Sequence, residues 1–183
     1  MEKIDITGVP ETMIQTLYAR AKESKKEKHF IYDKQAVEIV EKMDYNFDKA
    51  DKDSMMSAGV IARTMLLDRM VGDYVERYPD AVVINIACGL DTRFYRVDNG
   101  RIRWYNLDLP ETIAVRRRFL EENGRVSMLA CSAMDGTWAE QIGTAEGRVL
   151  VIVEGLTMYL TEEDVKTILT IIDENYDNVT VYM

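Results

Sequence analysis

The chain has little of what secreted, metal-binding, nucleic-acid-binding or membrane-spanning proteins need. Two cysteines in 183 residues, Cys88 and Cys131, are too few for a disulfide framework, and the single histidine, His29, gives them no partner at metal-ligand spacing. Both cysteines are expected as small buried residues at strand ends. His29 sits in a charge-dense stretch and is expected at the surface. Basic residues number 23 against 32 acidic ones, a net charge of -9. A phosphate backbone attracts a field of the other sign, so nucleic acid is not an expected partner. No apolar run approaches the ~20 residues of a spanning helix. The opening "MEKIDITGVPETM" lacks the charged-then-apolar layout of a signal peptide. A cytoplasmic protein with no membrane role is expected.

What is present is a 47% hydrophobic composition, enough over this length for one main core with appended elements. From Glu11 to about Tyr78 the chain is rich in helix formers and methionine (Met13, Met43, Met55, Met56, Met65, Met70). Residues 1–78 are expected to form a helical cap. The stretches "AKESKKEKHFIYDKQ" and "YNFDKADKDS" are expected as solvated connectors.

From "RYPDA" onward short β-branched runs alternate with amphipathic ones, the pattern of parallel βαβ units. Strands are expected at 81–87, 103–107, 126–131 and 148–153, with a fifth in "NVTVYM". A short helix is expected near 91–96. Pro110 opens another, running through "ETIAVRRRFLEEN" to Gly124. A third lies around 138–142. Thr161 caps the last, in which Val165, Ile168, Leu169 and Ile172 recur at helical spacing. The fold class is α/β, a doubly wound sheet.

Such sheets bind ligands at the carboxyl ends of their strands, so polar residues there are the candidates. The first strand ends in "ACGLDTR", where Gly89 lets the backbone approach a ligand. The second ends in Asp108, nineteen residues beyond Gly89, well placed to accept the hydroxyls of a ribose. A dinucleotide loop prefers G-x-G-x-x-G, and here those places hold Ala87, Gly89 and Thr92. One glycine of three suits the smaller amino-acid end of S-adenosylmethionine better than a pyrophosphate. An NAD-dependent oxidoreductase stays open as the second reading, and a non-catalytic binding module as a third.

The blocks "NIACGLDTRFYR", "WYNLDLPETI" and "VIVEGLTMYLTEEDV", with "ARTMLLDRMV" and more loosely "YARAKESKKEKHFIYDKQAVEIV" upstream, resemble the leucine carboxyl methyltransferase family, including its microbial small-molecule branch. The resemblance covers nearly the whole chain. It implies a Rossmann-like class I methyltransferase sheet of order 3-2-1-4-5 in residues 79–183. That order would put Cys88 and Cys131 two strands apart, roughly 9–10 Å, beyond disulfide reach. It implies S-adenosyl-L-methionine as cofactor and O-methylation of a small-molecule acceptor. By the same resemblance Arg63 grips the cofactor carboxylate, Ala87, Gly89 and Asp91 surround its methionine portion, Asp108 with neighbouring Leu109 holds the ribose, and Asp135 meets the adenine. Lys22 contacts the cofactor or substrate region. Glu154 and Tyr159 line the methyl-transfer site, with Glu154 also beside the cofactor. The family continues past the fifth strand into a further helix and strand pair. The chain is therefore expected to be truncated, its last strand an exposed edge inviting a homodimer.

Overall fold

The structure, a computed structural model, describes residues 4–5, 11–143, 145 and 147–183. Much of the opening stretch "MEKIDITGVPETM" lies outside them. The chain divides into two compact units, residues 1–74 with 90–97, and residues 75–89 with 98–183.

The first unit holds α1 (Glu11–Ser24), α2 (Lys34–Lys42), α3 (Asp48–Lys52), most of α4 (Ser54–Arg77) and the short α5 (Phe94–Val97). A two-residue parallel pairing of β1 (Ile4–Asp5) with β2 (Met43–Asp44), which the sequence did not announce, adds a small sheet. Helix α1 buries Ile14, Leu17 and Ala21. The stretch "AKESKKEKHFIYDKQ" is not simply a solvated connector. Its first residues finish α1 with Glu23 and Ser24 buried, and Asp33 is only 1% exposed. Asp33 caps α2, accepting from the Ala36 amide at 3.0 Å, which satisfies one of the free amides at a helix start. His29 is exposed, as expected. The second stretch, "YNFDKADKDS", contains α3, beside which Phe47 stacks on Tyr18 with ring centres 4.5 Å apart.

The second unit is a five-stranded parallel sheet, β5 (Val126–Ala130), β4 (Arg103–Asp108), β3 (Val82–Ile86), β6 (Val149–Val153) and β7 (Val179–Tyr182), in that order. Counted along the chain from β3, this is the order 3-2-1-4-5. Every residue of "VVINI" in β3 and "VLVIV" in β6 is buried, the continuous apolar signature of central strands covered on both faces. On one face Val82, Ile84, Ile86, Val149, Val151 and Val153 pack with Trp138 of α7 (Thr137–Ile142) and with Ile168 and Ile172 of α8 (Glu162–Asn175). Thr161 and Asp164 form a reciprocal capping box at the start of α8. Leu169 departs from the buried stripe and is 39% exposed. Cys88 and Cys131 are free thiols.

One helix is shorter than its sequence suggests. Helix α6 (Pro110–Arg116) stops well before Gly124. The segment after it serves the open edge of β5 instead: Arg117 donates to the Met128 carbonyl at 3.0 Å and Glu122 accepts the Met128 amide. Those edge groups would otherwise lie unpaired, and satisfying them outweighs the remaining helical turns. Among the described residues no helix is long and apolar enough to cross a membrane, and no three side chains cluster as metal ligands.

Candidate functional site

The parallel register sets the site in the second unit. Ile86 lies opposite Leu107 on one side and Val153 on the other. The residues that follow, Ala87, Asp108 and Glu154, therefore leave three adjacent strands at one edge of the sheet. Asp108 pairs in register with Ala130, so Cys131 and the turn to Asp135 come next along the same edge. The Cys88 amide still donates to the Leu107 carbonyl at 3.1 Å, tethering the chain to β4 while it turns away. That turn needs a left-handed backbone at Ala87 (φ 53°) and Gly89 (φ 47°). Glycine adopts it freely, whereas a Cβ makes it costly by about 1–2 kcal/mol. A strained alanine held beside a ligand-binding edge is the pattern of a functional turn.

Gly89 is held on both sides. Its amide donates to Asp108 Oδ2 at 2.8 Å and its carbonyl accepts from Arg116 Nη1 at 2.9 Å. The other Asp108 oxygen, Oδ1, accepts the Leu109 amide at 2.8 Å. Leu109 precedes Pro110 at the start of α6, and its own side chain is 47% exposed. Burial raises the Asp108 carboxyl above its ordinary value, against the pull of the Gly89 and Leu109 amides, the Thr112 hydroxyl and the Arg116 charge. A carboxylate offers about four acceptor sites, so capacity remains for a ribose hydroxyl at the half-buried oxygens. The residues present thus fit the adenosine-bearing group that the sequence implied.

The other candidates in this unit stand separately. Asp135 is exposed, and its Oδ1 accepts the Thr137 amide at 3.1 Å, turning the chain into α7. Its charge, after burial, raises the Cys131 thiol. Glu154 is half-buried just beyond β6. Tyr159 closes a short 3-10 turn (Thr157–Tyr159) and is 67% exposed beside an exposed Met158.

Lys22, Arg63 and Asp91 belong to the first unit. Lys22 on α1 is exposed and pairs with Asp51 at 2.7 Å. Tyr18 donates to the same carboxylate at 3.0 Å, and the two contacts lower the Asp51 carboxyl. Arg63 lies half-buried on α4. Asp91 accepts both the Arg93 amide and its guanidinium, each at 3.0 Å. Arg93 reaches Asp68 at 2.8 Å, and Arg96 joins Asp68 to Asp33. Arg20 and the Thr92 hydroxyl complete the shell around Asp33. This network of three arginines and three aspartates, which fixes the segment after Gly89 within its unit, was missed in sequence. So was Arg116, the first of three consecutive arginines and alone among them buried.

A family model described as leucine carboxyl methyltransferase matches residues 13–173. The chain is 35% identical over 89% of its length to the tetracenomycin polyketide synthesis O-methyltransferase TcmP of Streptomyces glaucescens. It is 30% identical over 95% of its length to the S-adenosyl-L-methionine-dependent methyltransferase dpfgK of Gibberella zeae. It spans 60% and 63% of the lengths of these two relatives. A solved structure, the methyltransferase domain of bacterial CtHen1, aligns with 62% of this chain and 63% of its own at 17% identity and a TM-score of 0.49.

Proposed function

Because the chain belongs to the leucine carboxyl methyltransferase family, we propose that it is an S-adenosylmethionine-dependent O-methyltransferase acting on a carboxylate or hydroxyl oxygen of a small molecule. The observation that carries the proposal is the Gly89–Asp108 pair. A glycine turn at the end of the first strand of the sheet is hydrogen-bonded to an acid at the end of the second. That is the edge where an open α/β sheet takes an adenosine-bearing ligand.

The bound cofactor supplies a sulfonium methyl group, open to displacement by an oxygen nucleophile. Asp108 accepts a ribose hydroxyl, with Leu109 beside it. The Ala87–Gly89 turn leaves backbone room for the amino-acid end. In the first unit, Arg63 offers a fork for a carboxylate, while Asp91 and Lys22 are the further polar contacts. Asp135, exposed after β5, accepts from the adenine amine. Glu154 and Tyr159 serve the acceptor side. A carboxylate acceptor, ionised above about pH 4, needs no general base. The only histidine, His29, is exposed and bonded to the Lys26 carbonyl at 3.2 Å, so no base role falls to it. The chain's work is to align acceptor and donor, and positioning supplies several kcal/mol.

A small acceptor is supported by the relative named for polyketide synthesis, and a net charge of -9 opposes nucleic acid. The same reading takes residues 1–78 as a helical cap and 79–183 as the cofactor-binding domain of a cytoplasmic protein that forms a homodimer. A tritium-labelled methyl donor with a panel of aromatic acids and phenols tests the activity. Label released by mild base marks an ester, and label that survives marks an ether. No labelled product, together with binding of NADH or of neither cofactor, contradicts the proposal.

A further inference from the structure

We propose that Arg116 is a positioning residue for the Gly89 turn, its guanidinium holding the Gly89 carbonyl while Asp108 holds the Gly89 amide. The inference rests on the reading above, that this turn receives the methyl donor. Arg116 is the last residue of α6 and only 1% exposed, yet it reaches back 27 residues to Gly89 at 2.9 Å. Of the run "RRR", Arg117 serves the edge of β5 and Arg118 is exposed.

A buried arginine needs a reason. A guanidinium brings five donors and a charge into the interior, and the loss of their hydration must be offset. Packing does not explain it, since a methionine would fill the space with no polar atom to satisfy. Nor does the single bond to Gly89, which an uncharged amide would supply. The buried Arg116 Nε has no hydrogen-bond partner among the described residues, so the side chain is kept despite an unmet donor. What an uncharged group lacks is the means to balance Asp108. That carboxylate faces the Gly89 and Leu109 amides, the Thr112 hydroxyl and Arg116, and of these only Arg116 is charged.

One cation and one anion therefore grip the two polar groups of a single residue from opposite sides. The amide fixes the peptide plane before Gly89, and the carbonyl fixes the plane after it. The left-handed conformation at Gly89 is thereby set before any ligand arrives, which lowers the ordering cost of binding. The same cation adds to the pull of the Gly89 and Leu109 amides and the Thr112 hydroxyl that lowers the Asp108 carboxyl against the burial that raises it, and so favours the form that accepts a ribose hydroxyl.

Hydrogen exchange at the Gly89 amide, read by NMR in the wild type, Arg116→Lys and Arg116→Met, tests the positioning without any ligand. In Arg116→Met we expect exchange faster by about tenfold or more, the fold-change of one charge-assisted hydrogen bond, with the amides of β3 unchanged. Titration with S-adenosylhomocysteine across pH adds a second readout. Arg116→Met should move the acid limb of binding to higher pH, whereas Arg116→Lys, which retains the charge, should weaken binding but leave the limb in place. Unchanged Gly89 exchange in either variant overturns the inference, so Arg116→Lys decides it should Arg116→Met fail to fold. A coincident acid limb in Arg116→Met overturns it too. A wild type that binds no S-adenosylhomocysteine overturns the methyl-donor reading instead, while exchange at Gly89 still decides the role of Arg116.

Discussion

Asp33 and Arg96, 63 residues apart in the chain, share a hydrogen bond of 2.7 Å, and the same Asp33 oxygen accepts from Arg20 Nε at 3.0 Å and from the Thr92 hydroxyl at 2.6 Å. One buried carboxylate thus joins α1, the start of α2 and the segment 90–97. Removing it leaves Arg20 and Arg96 each without this partner in a buried setting. Asp33→Ala should cost about 3–5 kcal/mol, the usual penalty for orphaning buried charge. Urea unfolding measures it, and a loss below about 1 kcal/mol, as for an exposed pair, would contradict the network's role.

Ala87 carries a left-handed backbone that alanine disfavours. Ala87→Gly relieves strain of about 1–2 kcal/mol and adds chain entropy to the unfolded state worth about 0.5–1 kcal/mol. The variant should lie between neutral and about 1.5 kcal/mol more stable. A clear loss of stability by the same denaturant measurement would mean that the turn is not strained.

Asp108 gives a pH dependence of defined sign. Burial raises its folded-state carboxyl above the unfolded value, so between the two values the native protein binds more protons than the unfolded chain. The stability contributed by this group is greatest below that interval and falls as pH rises through it. Asp108→Asn has no such loss. Comparing the two proteins from acid to neutral pH, the stability difference should shift towards the asparagine variant with rising pH. A difference independent of pH would contradict the raised value.

Lys22 lies in an exposed pair with Asp51, and such pairs contribute little to folding. Lys22→Ala should leave the unfolding midpoint unchanged. If Lys22 contacts the cofactor, the variant weakens S-adenosylhomocysteine binding about tenfold, equivalent to roughly one charged hydrogen bond. Unaltered affinity would remove Lys22 from the site.

The sheet was legible in sequence because its signals are local. Apolar runs such as "VVINI" and "VLVIV" end in polar residues, and parallel strands gather those ends at one edge. Gly89 and Asp108 were found in this way, nineteen residues apart and hydrogen-bonded. Asp33 was not found, because its burial depends on Arg20, Thr92 and Arg96 at separations of 13, 59 and 63 residues, and a charged stretch looks solvated until its partners are in place. Helix α6 is shorter than its sequence suggests: "RRRFLEEN" has helical propensity, while the need to cap the edge of β5 is a tertiary demand. Arg116 was hidden by its neighbours. Three arginines in a row are alike in sequence, and only the fold decides which is buried.

Asp108, at the end of β4, is proposed to hold the ribose of a methyl donor. Calorimetric titration of S-adenosylhomocysteine into the wild type and Asp108→Ala, with NADH as the control ligand, decides it. Binding is expected at one site per chain in the wild type, weakened by about tenfold or more in Asp108→Ala through the loss of a hydrogen bond to a charged acceptor, with no heat from NADH. Equal affinity in the two proteins, or binding of NADH in place of S-adenosylhomocysteine, would contradict it.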